Sequence, residues 1–597
     1  MRKRQKRSDR KRGLEVDDDY VQARMPKDLL YKTALLASKL GISIRTHLSM
    51  IMATYELCGV DSTQMDLSVA SALRHRRSQE RQVANEVLEK LSETVKEERS
   101  KIFLHFDTKQ IKQDIGGVVK IVERLVIAVS SPVAERDQLL TAFPLEAGTG
   151  EAMAEAVYDI LVSLDLHEYV MGIVADTTAT NFGQYRGAIV VLQDFLGYPV
   201  LVIPCLHHVE ELPPKHVMRL VSGRRTTGPG ESIFLLYQSN FNEIRPLITN
   251  NLVLKTFNWD DHQWLENGDP HPMGELGKKV VEWGEGALRR DIFSRGDYKY
   301  SLKLLLRYLG VLLAGFKIER PKDVSPARFL QIGIFYLELA MLLNIPFVYE
   351  LFSRQEREKI LLMAKFSALY YLLWMLRAKF PAKAPTIQID AIYELRELKK
   401  VDPAIAECAL EVRLRHMELV SEENVMLAIA DQSLASEEKE EMGKKLLENR
   451  DSWVPGMMAL APVTVQQDLS TREDYWRNGN LPRLANFVGP RSFLLLDHLH
   501  WTQEDIDIFQ QPFDEWVQND KYGELCSVIR GMRVVNDTAE RLIKLVKDRI
   551  PTVRSEEALQ QVLLTVEEMR RRFGHVKAST VTNTKLQKAI RSALELN

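Results

Sequence analysis

Between residues 102 and 203 short apolar runs alternate with stretches of helical period, and that alternation restricts this part of the chain to an α/β sheet flanked by helices. Ile102-Phe103-Leu104-His105-Phe106 reads as a buried strand ending at Asp107-Thr108-Lys109. Residues 125–129 read as a second strand, closed by Ser130-Ser131-Pro132. Met153, Ala156, Val157, Ile160, Leu161 and Leu164 mark a helix. A third strand over 169–175 stops at Asp176, and a helix carrying Ala188, Ile189, Val191, Leu192 and Phe195 leads to a strand over 200–203. Such strands are nearly continuous apolar runs because both faces of the sheet are covered. In open α/β sheets chemistry gathers at the carboxyl ends of strands. Asp107 and Asp176 each terminate a strand and are therefore candidate catalytic acids, although an Asp in that place, taken alone, is more often a turn residue or a helix N-cap.

From about residue 213 to 525 the strand signal fades. Segments 300–316, 328–343 and 358–380 carry apolar residues on broad faces at helical spacing, and 402–450 reads as charged helices with Val425, Ile429 and Leu434 inward. No repeat period is visible, so a solenoid is not supported. The most apolar stretches, 329–345 and 360–380, are interrupted by Glu338 or by Lys365 and Arg377, and read as buried helices rather than membrane spans. Of 597 residues 45% are hydrophobic and 27% charged, a composition that supports a large core and excludes wholesale disorder. Eighty Lys+Arg against 82 Asp+Glu exclude a uniformly basic DNA-coating protein. The four cysteines, Cys58, Cys205, Cys408 and Cys526, are scattered; they offer neither a disulfide framework nor a CxxC zinc site and fit a reducing compartment.

Charge is uneven along the chain. Residues 2–12 hold Arg2, Lys3, Arg4, Lys6, Arg7, Arg10, Lys11 and Arg12 against Asp9, a self-repelling tail suited to import receptors or phosphate backbones, or simply solvated. No apolar segment follows it, so a secretory signal is not expected. Helical patterns over 29–36 and 48–57 flank Lys39-Leu40-Gly41-Ile42-Ser43 and resemble a helix-turn-helix, or equally an ordinary helical hairpin. In the first reading Arg45, Thr46, His47 and Ser49 face DNA, and Arg74, Arg76 and Arg77 on the next helix meet phosphates. The loop 222–230, with Arg224 and Arg225, is an internal boundary that touches a nucleic acid backbone or serves as a plain linker. Near the C-terminus Asp537 and Glu540 have the spacing of a capping box at the head of an amphipathic helix.

Taken in order, Phe106-Asp107-Thr108, then 173–181 (IVADTTATN), then Cys205-Leu206-His207-His208, then 536–541 (NDTAER) resemble the hAT superfamily of DNA transposases, and more closely a group of uncharacterised hAT-related invertebrate proteins. The resemblance covers about residues 100–570. It implies an RNase H-like α/β core interrupted by a large all-α insertion, with Asp107, Asp176 and Glu540 as a catalytic DDE triad that binds metal. Three bunched carboxylates need a cation to stay ionised, and hard oxygen ligands suit Mg²⁺ or Mn²⁺ in a two-metal site. The implied reaction is phosphodiester cleavage followed by strand transfer at the ends of a DNA element. Cys205 and His208 match the family's Cys-x-x-His, read as structural or DNA-facing, and Trp259 or Trp264 takes the place of a base-stacking tryptophan in the insertion.

Two departures stand out. Residues 1–200 hold only one cysteine, Cys58, so the N-terminal zinc finger common in the family is not expected here, and Thr108 and Lys109 follow Asp107 where the family commonly has tryptophan. The expected organisation is a basic tail (1–25), a helical region that carries the helix-turn-helix candidate for DNA binding (26–99), the first part of the core (100–212), the helical insertion (213–525), and a final core helix with a tail (526–597). A working transposase must hold two DNA ends, so at least a dimer in the nucleus is implied. The alternative is a domesticated DNA-binding or scaffolding protein that keeps the fold without catalysis.

Overall fold

The apolar runs of the first half become the strands of one mixed sheet. The computed structural model describes residues 26–448 and 496–573, apart from 66, 116, 135–136, 224–231, 250–252, 292, 294, 323–328, 378–380, 503, 506–512 and 554. Within it β1 (Ile102–Ile115), β2 (Val118–Ser130), β3 (Gln138–Leu145), β4 (Val170–Ala175) and β5 (Leu201–Pro204) lie in the order β3-β2-β1-β4-β5. The first three strands are antiparallel, while β4 runs parallel to both β1 and β5. Two strand expectations are corrected. β1 does not stop at Asp107 but continues to Ile115, paired with a β2 that begins at Val118, and past the pair Gln110–Glu123, where β3 ends, the two form a two-stranded ribbon. Its turn places Gly117 at φ +84°, which suits glycine, and Asp114 accepts that residue's N–H at 2.7 Å. β3 is an edge strand that the sequence reading left out.

Alternate residues face opposite sides, as pleating requires. Leu104, Phe106, Ile127, Ile173 and Val202 pack with helices α4 (Gly150–Ser163) and α5 (Ala188–Leu196) through Met153, Val157, Leu161, Ile189 and Leu192. On the other face Val126, Ala128, Leu139 and Ala142 meet Leu542, Leu545, Leu563 and Val566 from α9 (Asp537–Arg549) and α10 (Glu556–Phe573). Phe103, Val174, Leu201 and Ile203, on that same face, enter the core of the long helical stretch.

Ahead of the sheet lie α1 (Ala34–Leu40), α2 (Ile44–Leu57) and the 29-residue α3 (Val69–Glu97). Gly41 ends α1 at φ +69°, and Ser43 accepts from the Thr46 N–H to start α2. In the helical stretch, α7 (Gly296–Tyr308) and α8 (Phe329–Leu342) are central, and every residue of α8 except Gln331 is buried. A continuous helical run, Arg354–Arg377, has the length and hydropathy of a membrane span, yet 72% of its apolar window is buried inside the fold. The chain is thus a mixed α/β protein, a five-stranded sheet with many helices around it.

Candidate active site at the carboxyl edge of the sheet

Asp107 lies just beyond the last parallel pair, His105 with Val174, and pairs across the hairpin with Val126. It is half-buried. Asp176 follows the last residue of β4 and is also half-buried; its carboxylate accepts from Thr178 Oγ1 at 3.0 Å and from the Asn181 side-chain amide. The turn after β4 therefore holds its own acid in place.

A second chain segment crosses the same edge. Cys205, the residue after β5, donates its N–H to Ala175 O (2.8 Å), and its buried Sγ accepts the Asn536 N–H at 3.3 Å. Leu206 N–H donates to Val534 O, and Asn536 Nδ2 donates to Phe106 O, each at 2.8 Å. The start of α9 is thereby tied to β1 at Phe106, next to Asp107, and to the segment just after β5, which in turn is bonded to the last residue of β4, next to Asp176.

The expected capping box is not formed. Asn536 is the N-cap and makes no side-chain cap bond, while Asp537 is already helical and turns inward. Its Oδ1 accepts from the Tyr298 hydroxyl at 2.5 Å and lies 3.3 Å from Nδ1 of His207, which belongs to α6 (Leu206–Glu210). Burial disfavours its charge, but His207, the Tyr298 hydroxyl and Arg295 outweigh burial and hold the carboxyl well below the usual carboxylate range. Glu540, one turn on, pairs with Arg295 Nη1 at 3.0 Å. Arg295 also grips Asp297 with Nε at 3.0 Å and Nη2 at 2.5 Å, and its guanidinium lies 4.8 Å over the Tyr298 ring. Burial pulls against the guanidinium's charge, yet Asp297, Tyr298 and Asp537 reverse that and push its proton affinity above the ordinary value.

The three acids carry the right donor chemistry for a hard cation, but they do not fit one as arranged. Among the described residues no three His, Cys, Asp or Glu side chains are grouped so as to hold a metal ion. Glu540 lies one turn into the helix whose N-cap residue, Asn536, is tied to Phe106 O, and its carboxylate is engaged by Arg295. The helical stretch adds an arginine to Glu540 that the sequence pattern did not show.

Other candidates fall out differently. His208 is half-buried and its N–H returns to Cys205 O (2.9 Å); the histidine that reaches Asp537 is His207. Arg45, Arg74 and Arg77 are exposed. Arg76 is buried, donating to Ile42 O at 2.8 Å with Nη2 3.1 Å from His47 Nδ1, so it pins the turn between α1 and α2 instead of meeting phosphates. His47 is buried with it and is likewise removed from the DNA-facing set. Arg224 and Arg225 lie outside the described residues, as does the basic tail. Trp259 is half-buried, its indole N–H donating to Leu309 O (3.2 Å) and its ring packing edge-on against Phe257, while Trp264 is 65% exposed.

The sequence reading missed His207 as a site residue, and with it Arg295, Asp297 and Tyr298. Asp537 was legible only as a cap, and nothing in 295–298 marks a site until the fold brings it to α9. No family model matches the chain, and no curated protein matches it.

Proposed function

We propose that this chain is a hAT-transposase-like protein with an RNase H-like core that cleaves phosphodiester bonds and transfers strands at the ends of a DNA element. The observation that carries the reading is the strand order β3-β2-β1-β4-β5 with acids on β1 and directly after β4, and with the head of α9 tied to that edge. This is the layout in which carboxylates from distant parts of a chain serve one reacting phosphate. Mg²⁺ or Mn²⁺ is the cofactor that such acids imply. Asp176, oriented by Thr178 and Asn181, is already fixed in direction, whereas Glu540 is committed to Arg295. Double-stranded DNA would meet the exposed Arg45, Arg74 and Arg77, with Trp264 the remaining candidate for stacking. A nuclear, at least dimeric protein follows from the same reading.

That commitment of Glu540 favours one other reading, a domesticated DNA-binding or scaffolding protein. Nicking of supercoiled plasmid and joining of a 3′-hydroxyl oligonucleotide separate the two. In the first reading Asp176→Ala and Glu540→Ala each lose about a hundredfold or more in cleavage, since even outer-shell changes at such sites cost 10–100-fold, while gel-shift affinity for DNA stays. DNA binding without any nicking by the wild type, indifferent to both substitutions, selects the scaffold.

A further inference from the structure

The ribbon made by the end of β1 and the start of β2 leaves apolar side chains in water. Val118, Val119 and Ile121 are 58%, 67% and 66% exposed. Single exposed apolar residues are ordinary, but three β-branched ones at one strand tip invite unwanted pairing unless a partner covers them. Residues 109–122 hold three lysines, Lys109, Lys112 and Lys120, against one acid, Asp114. All three lysines are exposed, and Lys112 lies directly across the ribbon from Ile121. The Asp114 carboxylate is turned onto the Gly117 N–H at 2.7 Å. The foot of the ribbon is fastened. Ile111 is buried, and Arg124, also buried, donates to the two carboxylate oxygens of Glu556 at 2.8 and 2.6 Å and to Gln113 Oε1 at 2.7 Å. The ribbon is thus anchored to α10 while Val118, Val119 and Ile121 face solvent. From Asp107 to Asp114 the strand extends about 23 Å, at about 3.3 Å per residue.

We propose that this ribbon is an arm for duplex DNA, with Lys109, Lys112 and Lys120 on phosphates and Val118, Val119 and Ile121 against the bases of a groove. The proposal rests on the reading of the chain as a protein that handles DNA, and adds to it a contact surface that needs no metal. A two-stranded ribbon is narrow enough to enter a groove, and apolar side chains at its tip can pack on base edges and steps. Charge selects this partner over a second copy of the chain. Two ribbons meeting about a two-fold axis bring Lys112 and Lys120 toward lysines of the other copy, whereas phosphates neutralise them. Because the arm continues the strand that carries Asp107, a duplex seated along it runs beside the carboxyl edge of the sheet.

The test titrates a fluorescein-labelled duplex oligonucleotide with the full-length chain in EDTA and reads anisotropy over a range of salt. Lys112→Gln/Lys120→Gln is expected to make log affinity less steep against log salt by about two, one for each lost phosphate contact. Val118→Thr/Val119→Thr/Ile121→Thr is expected to bind about tenfold more weakly with the slope unchanged, because apolar contact releases no counterions. Threonine keeps the β-branching that a strand favours, and Ile121→Thr alone stands in should the triple variant fail to fold by circular dichroism. Wild-type affinity and slope in either variant overturns the arm and leaves DNA to be held elsewhere. A lysine variant that binds more weakly with an unchanged slope also overturns it. So does a tip variant that binds DNA as the wild type does but loses mass by light scattering, since the ribbon then meets a second copy. EDTA keeps cleavage out of the readout, so these failures do not bear on the transposase reading. No binding of the duplex by the wild type even at low salt overturns the DNA reading and the arm together.

Discussion

Glu338 sits in the middle of α8, 1% exposed, with the Tyr300 hydroxyl donating to Oε1 at 2.6 Å and the Tyr237 hydroxyl to Oε2 at 3.0 Å. Burial pushes its carboxyl up to about 8, against the pull of the two tyrosines. Below the unfolded value of 4.5 both states are protonated; between 4.5 and about 8 the folded chain keeps a proton that the unfolded chain has lost. Stability therefore falls as pH rises through that window and levels off above it, with a slope approaching about 1.4 kcal/mol per pH unit for the one proton. Urea melts of the wild type at pH 5, 6.5 and 8 should show this decline, and Glu338→Gln should remove its share, leaving the part owed to Glu394, whose carboxyl burial pushes up to about 7. Sequence showed Glu338 only as an interruption in an apolar run, which sufficed to argue against a membrane span. Its tyrosine partners could not be seen, because Tyr237 and Tyr300 approach it from other helices and share no local spacing with it. The site follows the same rule. Asp107 and Asp176 were legible because each ends an apolar run, whereas His207 and Arg295 act across the fold.

At the scale of elements, the inner strands were readable and the margins of the sheet were not. β4 is six residues, all buried, and its apolar run announces it. β3 is an edge strand whose run contains Pro144, a residue that argues against a central strand, and it pairs with β2 alone. The ribbon beyond Asp107 is largely solvent-facing, so its residues carry no continuous apolar signal. Within β4 the close neighbours set a strict size limit at Gly172. A β-carbon there would lie 2.7 Å from the Phe103 ring and 2.9 Å from Leu201 O. Gly172→Ala should destabilise by about 1–3 kcal/mol, the usual range for overpacking. Adding Phe103→Leu should recover only part of this, because the Leu201 carbonyl is backbone and cannot turn away. Chemical denaturation of the single and double variants measures both; full rescue by the double would show that the ring alone sets the limit.

The whole molecule depends on how the helical stretch is fastened to the sheet. Periodicity predicted helices over 213–525 but not what they dock against: Phe103, Val174, Leu201 and Ile203 of the sheet enter their core, and a few single polar side chains complete the joint. Three of these converge on the elements after β5 and at α9: Arg295 on Glu540, His207 Nε2 with Met375 O at 3.2 Å, and Arg413 on Glu210. The last is the deepest. Both side chains are 0% exposed, Arg413 Nη1 donates to Glu210 Oε1 at 2.8 Å, Nη2 binds Oε2, and the guanidinium lies 4.8 Å from the Trp374 ring. A buried pair of this kind adds little beyond what a well-packed apolar pair would give, but removing one partner leaves an uncompensated charge in the core. Arg413→Met should therefore lower stability by about 3–5 kcal/mol, and Glu210→Met/Arg413→Met should recover most of that loss. Because Glu210 closes α6, the helix that also holds His207 against Asp537, the single variant should disturb the site as well as the fold. Hydrogen exchange is the discriminating measurement. If the joint couples the two halves, Arg413→Met will speed exchange at the start of α9 as well as around Trp374; faster exchange confined to the neighbourhood of Trp374 would mean that the sheet edge holds its acids without the helices behind it.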